Sequence, residues 1–262
     1  MQIDKSNYLD ILNKYDLRPS KDKGQNYLID PSICSRIADS NEIKEDDVVL
    51  EIGPGIGSLT HFINEKTNKL TIVDIDKNSC EMLKDYYKNI NIINEDIFKI
   101  NISTYNKIYS NVPYNITSDL LEFVLLESKY LDSAVFMIQE EAYRRIISQK
   151  GKDYGPLSIL INSAFEVRSL FKVSKQCFYP QPNCVSMVFK LTKVSTPLDK
   201  KSYQLIKKLF LNRRKTIFNN LSSAFGKDKS KEILYELNIP LSTRPEEINI
   251  ETYLKLVLHC KN

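Results

Sequence analysis

Apolar positions along this chain follow two periods, one helical and one extended. Tyr8, Leu9, Leu12 and Tyr15 recur at helical spacing and predict a short amphipathic helix within residues 1–18. A polar, basic link follows, RPSKDKGQN. Asp30-Pro31 is then a helix start, with the carboxylate as cap and proline at the first helical position. That helix is expected to run through Ile33 and Ile37. From there short apolar runs alternate with helical segments. DVVLEIG, KLTIVDID, INIINEDI, KIYSNV and AVFMIQ read as strands, and helices are predicted from about Ile56 to Lys66, over KNSCEMLKDYYKN and at 117–128. This βαβ rhythm predicts an α/β fold, a mostly parallel sheet with helices on both faces. EVRSLFKV and SMVFKLTK come late and are expected to close the sheet as an antiparallel pair. VSTPLDKKS reads as a linker. Beyond it YQLIKKLFLNRRKTIFNNLSSAF reads as one helix, followed by helices over SKEILYEL and ETYLKLVLH. The predicted boundary separates an α/β domain, 1–195, from a small all-helical domain, 196–262.

Composition narrows the chemistry. With 42% hydrophobic and 27% charged residues the chain is ordinary for a globular protein with a sizeable core. No apolar run approaches membrane-spanning length, and the first residues lack the apolar centre of a signal peptide, so the expected location is the cytoplasm. Cys34, Cys80, Cys177, Cys184 and Cys260 are scattered without CxxC spacing, and histidine occurs only at positions 61 and 259. Neither a disulfide framework, a metal site nor a histidine relay is suggested. The net charge of +4 is unevenly placed: residues 196–262 carry thirteen Lys/Arg against seven Asp/Glu. A basic tail domain suits a polyanion partner, and a solvated lysine-rich face accounts for the charge equally well.

The first strand runs into LEIGPGIGSLT. Gly53, Gly55 and Gly57 let backbone approach a ligand at the mouth of a helix. A dinucleotide loop needs GxGxxG, and here Ser58 stands where the third glycine belongs. Glu51 immediately before the loop would repel a pyrophosphate and suits a cationic ligand. S-adenosylmethionine carries both a sulfonium and an ammonium. Asp74, ending the second strand, is placed to grip ribose hydroxyls. Asp96, after the third strand, is placed to reach an adenine edge. Capping aspartates after strands are common, but at successive strand ends the three acids favour a nucleotide-type ligand.

NVPYNIT, from Asn111 to Thr117, ends the fourth strand, where Asn and Pro weaken a strand and make a turn. It also stands beside the expected methyl donor. The exocyclic amine of a base is a poor nucleophile because its lone pair is delocalised. The Asn111 side-chain oxygen and the Val112 carbonyl can hold its two N–H hydrogens, Pro113 can stiffen that pose, and Tyr114 offers a stacking face. Phe178, in CFYPQPNCVS, is a candidate for the base's other face; a core phenylalanine beside a proline-stiffened turn is the equal alternative.

These pieces together resemble the ribosomal RNA adenine N6-dimethyltransferases, most closely the branch that dimethylates two adjacent adenosines near the 3′ end of small-subunit rRNA. GQNYLID, LEIGPGIGSLT, IVDID, NEDIF, NVPYNIT, MIQEEAYRR, DYGPLSIL, FYPQPNCVS, RRKTIFNNL and STRPEEINIETY carry the likeness almost end to end. It implies a Rossmann-like class I methyltransferase domain with a seven-stranded sheet, S-adenosylmethionine as cofactor, and donor contacts at Asn26, Leu28, Gly53, Asp74, Asp96 and Asn111, with Glu51 and Gly55 in the same loop. It also implies rRNA in an assembling small subunit as partner, a monomeric enzyme, and phosphate contacts from Lys207, Lys208, Arg213, Arg214 and Lys215. Tyr27, Asp74, Ser110, Glu140 and the NCVS stretch with Val185 depart from the family's usual residues; Ser110 is expected to narrow the target pocket. The alternatives are a large-subunit rRNA adenine methylase conferring macrolide resistance, a non-catalytic RNA- or DNA-binding assembly factor on the same scaffold, and a DNA adenine methylase, which YGPLS and the tail disfavour.

Overall fold

The computed structural model describes residues 2–19 and 24–260. The middle of the basic link, residues 20–23, lies outside the described residues. Helix α1 (Tyr8–Lys14) leads to a two-residue strand, β1 (Tyr27–Leu28), and to α2 (Pro31–Asp39). The Asp30 carboxylate accepts from the N–H groups of Ser32 and Ile33, with Pro31 opening the helix. Then come β2 (Val49–Ile52), α3 (Ser58–Asn64), β3 (Leu70–Asp74), α4 (Lys77–Tyr86), β4 (Asn91–Asn94), β5 (Lys107–Asn111), α5 (Thr117–Glu127) and β6 (Ser133–Gln139). Two helices follow that no periodic run announced, α6 (Glu140–Ile147) and α7 (Pro156–Asn162). The strands end with β7 (Phe165–Val173), the short β8 (Phe178–Tyr179) and β9 (Ser186–Lys193). The remaining helices are α8 (Lys200–Phe210), α9 (Ile217–Phe225), α10 (Lys227–Glu236) and α11 (Ile250–His259).

Seven strands form one sheet in the order β4-β3-β2-β5-β6-β9-β7, and β1 pairs separately with β8. β2 through β6 run parallel, and β9 runs antiparallel to β6 with Gln139 opposite Ser186. The two late strands thus stand side by side at one edge. β2, β5 and β6 are buried along nearly their whole length, as central parallel strands require, whereas β4 at the edge is not. The chain leaves β2 for β3 and β4 on one side and crosses back to β5 on the other. The crevice beyond the C-terminal ends of β2 and β5 is therefore the topological switch point, where open α/β sheets bind ligands.

The chain divides into two compact units, residues 1–142 with 167–193, and residues 143–166 with 194–262. The first holds the sheet and a core that includes Val49, Ile72, Tyr109, Val135 and Val188. The second is helical, built around Tyr154, Ile206, Leu209, Ile217, Leu221, Tyr253 and Leu256.

One expectation fails in this second unit. The run read as a single helix is two, α8 and α9, broken over residues 211–216. The Asn220 side-chain amide donates to the Leu209 and Asn212 carbonyls at 2.9 and 3.3 Å, and Thr216 caps α9 at the Asn219 N–H. Side chains thus replace the backbone donors a continuous helix would supply.

Candidate active site

A cavity of about 370 Å³ opens at the switch point, entirely within the first unit. Four strand ends build it. β2 delivers Glu51 and the loop of Gly53 and Gly55, β3 delivers Asp74, the turn after β4 delivers Asp96, and β5 delivers Asn111, followed by Val112, Pro113 and Tyr114. Asn26 and Leu28 complete the lining.

Glu51 is only 2% exposed, and its Oε2 has no hydrogen-bond partner among the described residues. Burial pushes its carboxyl up to about 8; the nearby Asp74 carboxylate adds to the rise and the Thr60 hydroxyl opposes it. A buried acid with one unpartnered oxygen in a cavity wall can accept a cation or a hydrogen-bond donor from the cavity. Gly53 has a φ of +68°, and a Cβ added there would meet nothing within 4 Å, so its bare backbone borders open space. At Gly55 an added Cβ would come within 2.9 Å of the Tyr27 ring, so only glycine lets the loop pass that closely.

Asp74 ties the acidic side together. Its Oδ2 accepts from the Gly55 N–H at 3.1 Å and its Oδ1 from the Asp76 N–H at 2.9 Å. Its carboxylate therefore fixes the glycine loop while still facing the cavity it lines. Asp96 caps the 3-10 turn at 97–99 through the Phe98 N–H at 3.1 Å. The lining residues that periodicity overlooked include Ile75, Ile97 and Phe98. Ile75 is 65% exposed immediately after Asp74, and Phe98 meets Phe123 edge-on at 5.3 Å. Their one trace in the sequence is an apolar residue next to each strand-end acid, in DID and EDIF.

On the β5 side, the Asn111 Nδ2 donates to the Asn26 carbonyl at 3.2 Å, which leaves Oδ1 as the acceptor. The Val112 N–H is taken by the Met137 carbonyl at 3.0 Å. The Tyr114 hydroxyl and Ser186 Oγ are 2.9 Å apart, and Ser186 is fully buried at the start of β9. Gly24 lies against this turn: an added Cβ would meet Asn115 Oδ1 at 3.0 Å and the Tyr114 N at 3.1 Å, at a φ of +61°.

Other candidates sit elsewhere. Phe178 is 2% exposed, pairs across from Leu28 in the β1·β8 ladder and belongs to the core; it is not among the cavity-lining residues. Ser110 does not narrow the cavity. Its hydroxyl donates to the Ile52 carbonyl at 2.8 Å, buried between β5 and β2. Glu140 pairs with Lys172 at 3.0 Å, and its N–H donates to the Val185 carbonyl. In the second unit Lys207, Lys208, Arg214 and Lys215 are exposed, whereas the Arg213 guanidinium is hydrogen-bonded to three backbone carbonyls. No helix among the described residues is long and apolar enough to cross a membrane.

Comparison with known proteins agrees with this architecture. A 23S rRNA methyltransferase, ErmE, superposes with a TM-score of 0.67 at 22% identity, over 90% of this chain and all of that one, and so speaks for the fold alone. A dimethyladenosine transferase from Plasmodium falciparum superposes with a TM-score of 0.74 at 26% identity, over 89% of this chain and 97% of the other. The fold is Rossmann-like, that of a methyltransferase. In sequence, the ribosomal RNA small subunit methyltransferase A of Malacoplasma penetrans (strain HF-2) is 38% identical over 263 residues, 97% of this chain and 96% of that protein. A family model described as ribosomal RNA adenine dimethylase matches residues 17–261, and the chain belongs to that family.

Proposed function

We propose that this protein dimethylates N6 of two adjacent adenosines near the 3′ end of small-subunit rRNA, and that Asn111 to Tyr114 hold the reacting amine. One observation carries the assignment of roles: a buried, unpartnered Glu51 oxygen, Asp74 and Asn111 converge on one cavity at the switch point. The small-subunit substrate rests on the near full-length relative of that name, against 22% identity to the large-subunit enzyme.

S-adenosylmethionine, the family's cofactor, supplies an electrophilic methyl group on a sulfonium. Glu51 would hold its cationic methionine end, Asp74 the ribose hydroxyls and Asp96 the adenine edge, with Ile75 and Phe98 as apolar walls. The Asn111 Oδ1 and the Val112 carbonyl accept the two N–H hydrogens of the target amine and draw its nitrogen out of conjugation. Tyr114, steadied through Ser186, presents its ring to the extruded base. No strong base is needed, because positioning and fixed dipoles do the work. For the second methylation one acceptor is vacated, and the pocket must admit the first methyl there. Exposed Lys207, Lys208, Arg214 and Lys215, in the basic 196–262 segment, contact phosphates of an assembling small subunit. The enzyme acts as a cytoplasmic monomer.

The test is Asn111→Ala, assayed by single-turnover methyl transfer per folded molecule. The rate should collapse while RNA affinity barely moves, since phosphate contacts dominate that affinity. A near-wild-type rate ends the catalytic assignment of Asn111. Mass spectrometry of small-subunit rRNA from cells lacking the protein tests the substrate: the two adjacent adenosines should lose their methyl groups.

A further inference from the structure

The five cations RNA-binding was assigned to are not equivalent. Arg213 stands in the break between α8 and α9, half-buried, with its guanidinium 5.8 Å from the centre of the Phe210 ring. Nη1 donates to the Lys152 carbonyl at 2.8 Å, and Nη2 donates to the Gly151 and Tyr154 carbonyls at 3.0 and 2.8 Å. Both hydrogens of Nη2 and one of Nη1 are thus engaged, and three carbonyls of one turn, from Gly151, Lys152 and Tyr154, converge on one side chain. Arg214 and Lys215, its sequence neighbours, are exposed.

What Arg213 holds is the connection between α6 and α7. This connection contains Lys150, Gly151, Lys152 and Asp153, all exposed, before the chain dives inward at fully buried Tyr154. Other bonds hold the connection too: the Ser148 hydroxyl donates to the Lys150 carbonyl at 3.0 Å. Gly151 sits at a φ of +81°, its N–H donates to the Glu246 carbonyl at 3.3 Å, and the Tyr154 N–H closes the turn onto the Gly151 carbonyl at 3.1 Å. Tyr154 packs edge-on against Phe210, the same ring that lies beneath Arg213. The guanidinium is therefore the polar bolt of the turn. Without it the Lys152 and Tyr154 carbonyls would lose a donor and the Gly151 carbonyl would keep only the Tyr154 N–H. Lys150 and Lys152 carry no ion pair among the described residues; the acids at the turn include Asp153 and Glu246, whose carbonyl takes the Gly151 N–H. Two unpaired ammonium groups on a pinned, exposed turn form a small cationic edge.

We propose that Arg213 is a positioning residue, not an RNA contact, and that the turn it pins presents Lys150 and Lys152 to the phosphates of the rRNA substrate. This rests on the reading that the protein binds rRNA. Lysine is a poor substitute for Arg213: its three N–H donors radiate from one nitrogen, whereas these carbonyls meet two nitrogens of a planar fork. A phosphate contact, in contrast, would tolerate lysine as a point charge.

The experiment measures binding of the full chain to small ribosomal subunits from cells lacking the enzyme, over a range of salt. Lys150→Ala with Lys152→Ala should weaken binding about tenfold and flatten the salt slope by one to two counterions. Arg213→Ala and Arg213→Lys should be equally impaired. In the Arg213→Ala background the two lysine substitutions should cost less than about twofold further, because the turn that displays them is already loose. Arg213→Lys that binds like the parent, or lysine effects that multiply undiminished with Arg213→Ala, overturns the proposal. Arg214→Ala with Lys215→Ala serves as the reference. If that pair and the Lys150/Lys152 pair both leave binding and slope unchanged, the RNA reading of this unit fails; if only the Lys150/Lys152 pair is silent, the reading stands and the proposal alone falls.

Discussion

Replacing Glu51 with glutamine should make the ligand-free protein more stable while making it a poorer binder of S-adenosylmethionine. The acid is 2% exposed and its pKa rises from an ordinary 4.5 to about 8. Between those two values the folded chain retains a proton that the unfolded chain has released, so stability falls as pH rises through that window. At 1.36 kcal/mol per pH unit the burden is about 3 kcal/mol at pH 7, and below about 1 kcal/mol at pH 5. Glutamine carries no such burden at any pH. Glu51→Gln should therefore raise the melting temperature at pH 7 by roughly 5–10 °C, and this gain should fade toward pH 5. The assay is a thermal melt of both proteins across pH 5 to 8. Affinity for the cofactor should fall by about 1–3 kcal/mol, because the ionised carboxylate is the form that meets a cation. Titration calorimetry in buffers of different ionisation enthalpy should show a proton released by the parent on binding and none by the variant. A melting difference that is absent, or that does not change with pH, would mean that Glu51 is already ionised in the free protein, and the reasoning fails.

Asp74→Ala should weaken the cofactor by about 1–3 kcal/mol and also loosen the glycine loop, since the Gly55 N–H loses its acceptor; unchanged affinity by calorimetry in a folded variant removes Asp74 from the site. Tyr114→Phe keeps the ring and loses only the contact with Ser186, so it should remain active, whereas Tyr114→Ala should lose stacking worth roughly 1–3 kcal/mol in RNA-saturated transfer rates; equal rates for the two would refute the stacking role. Gly24→Ala forces a side chain into left-handed backbone against the Tyr114 turn, at a cost of roughly 1–2 kcal/mol. Its methyl-transfer rate should fall more than its cofactor affinity, and a rate equal to the parent's would show that the Gly24 approach is incidental.

That Glu51, Asp74, Asp96 and Asn111 meet at one sheet edge was legible because it is written in punctuation. Apolar runs ending in Glu51 with its glycines, Asp74, Asp96 and Asn111 mark strand ends whatever the tertiary packing does, and parallel strands bring successive ends to one edge. Ile75 was not legible, since an isoleucine between two aspartates looks like part of the strand that precedes it. Phe178 required knowing that its strand pairs with Leu28, a contact between distant segments that no local pattern encodes. The break between α8 and α9 was hidden for the opposite reason. Leu209, Phe210, Ile217 and Leu221 keep helical spacing straight across it, and the helix is interrupted by an asparagine side chain capturing carbonyls. Arg213 reads in sequence like the cations beside it. Only its carbonyl partners distinguish it.

The direction of β9 has a consequence for how such an enzyme diversifies. In a wholly parallel sheet each loop at the ligand edge leaves a strand and must enter a helix, so its length and shape are constrained at both ends. β9 enters the sheet from that edge instead, with Ser186 opposite Gln139 and within hydrogen-bonding distance of Tyr114. The support behind Tyr114 thus belongs to a chain segment that contributes nothing to Glu51, Asp74 or Asp96. Mutation there can reshape the Tyr114 side of the cavity while the Glu51, Asp74 and Asp96 side is inherited intact, so the two sides are open to separate selection.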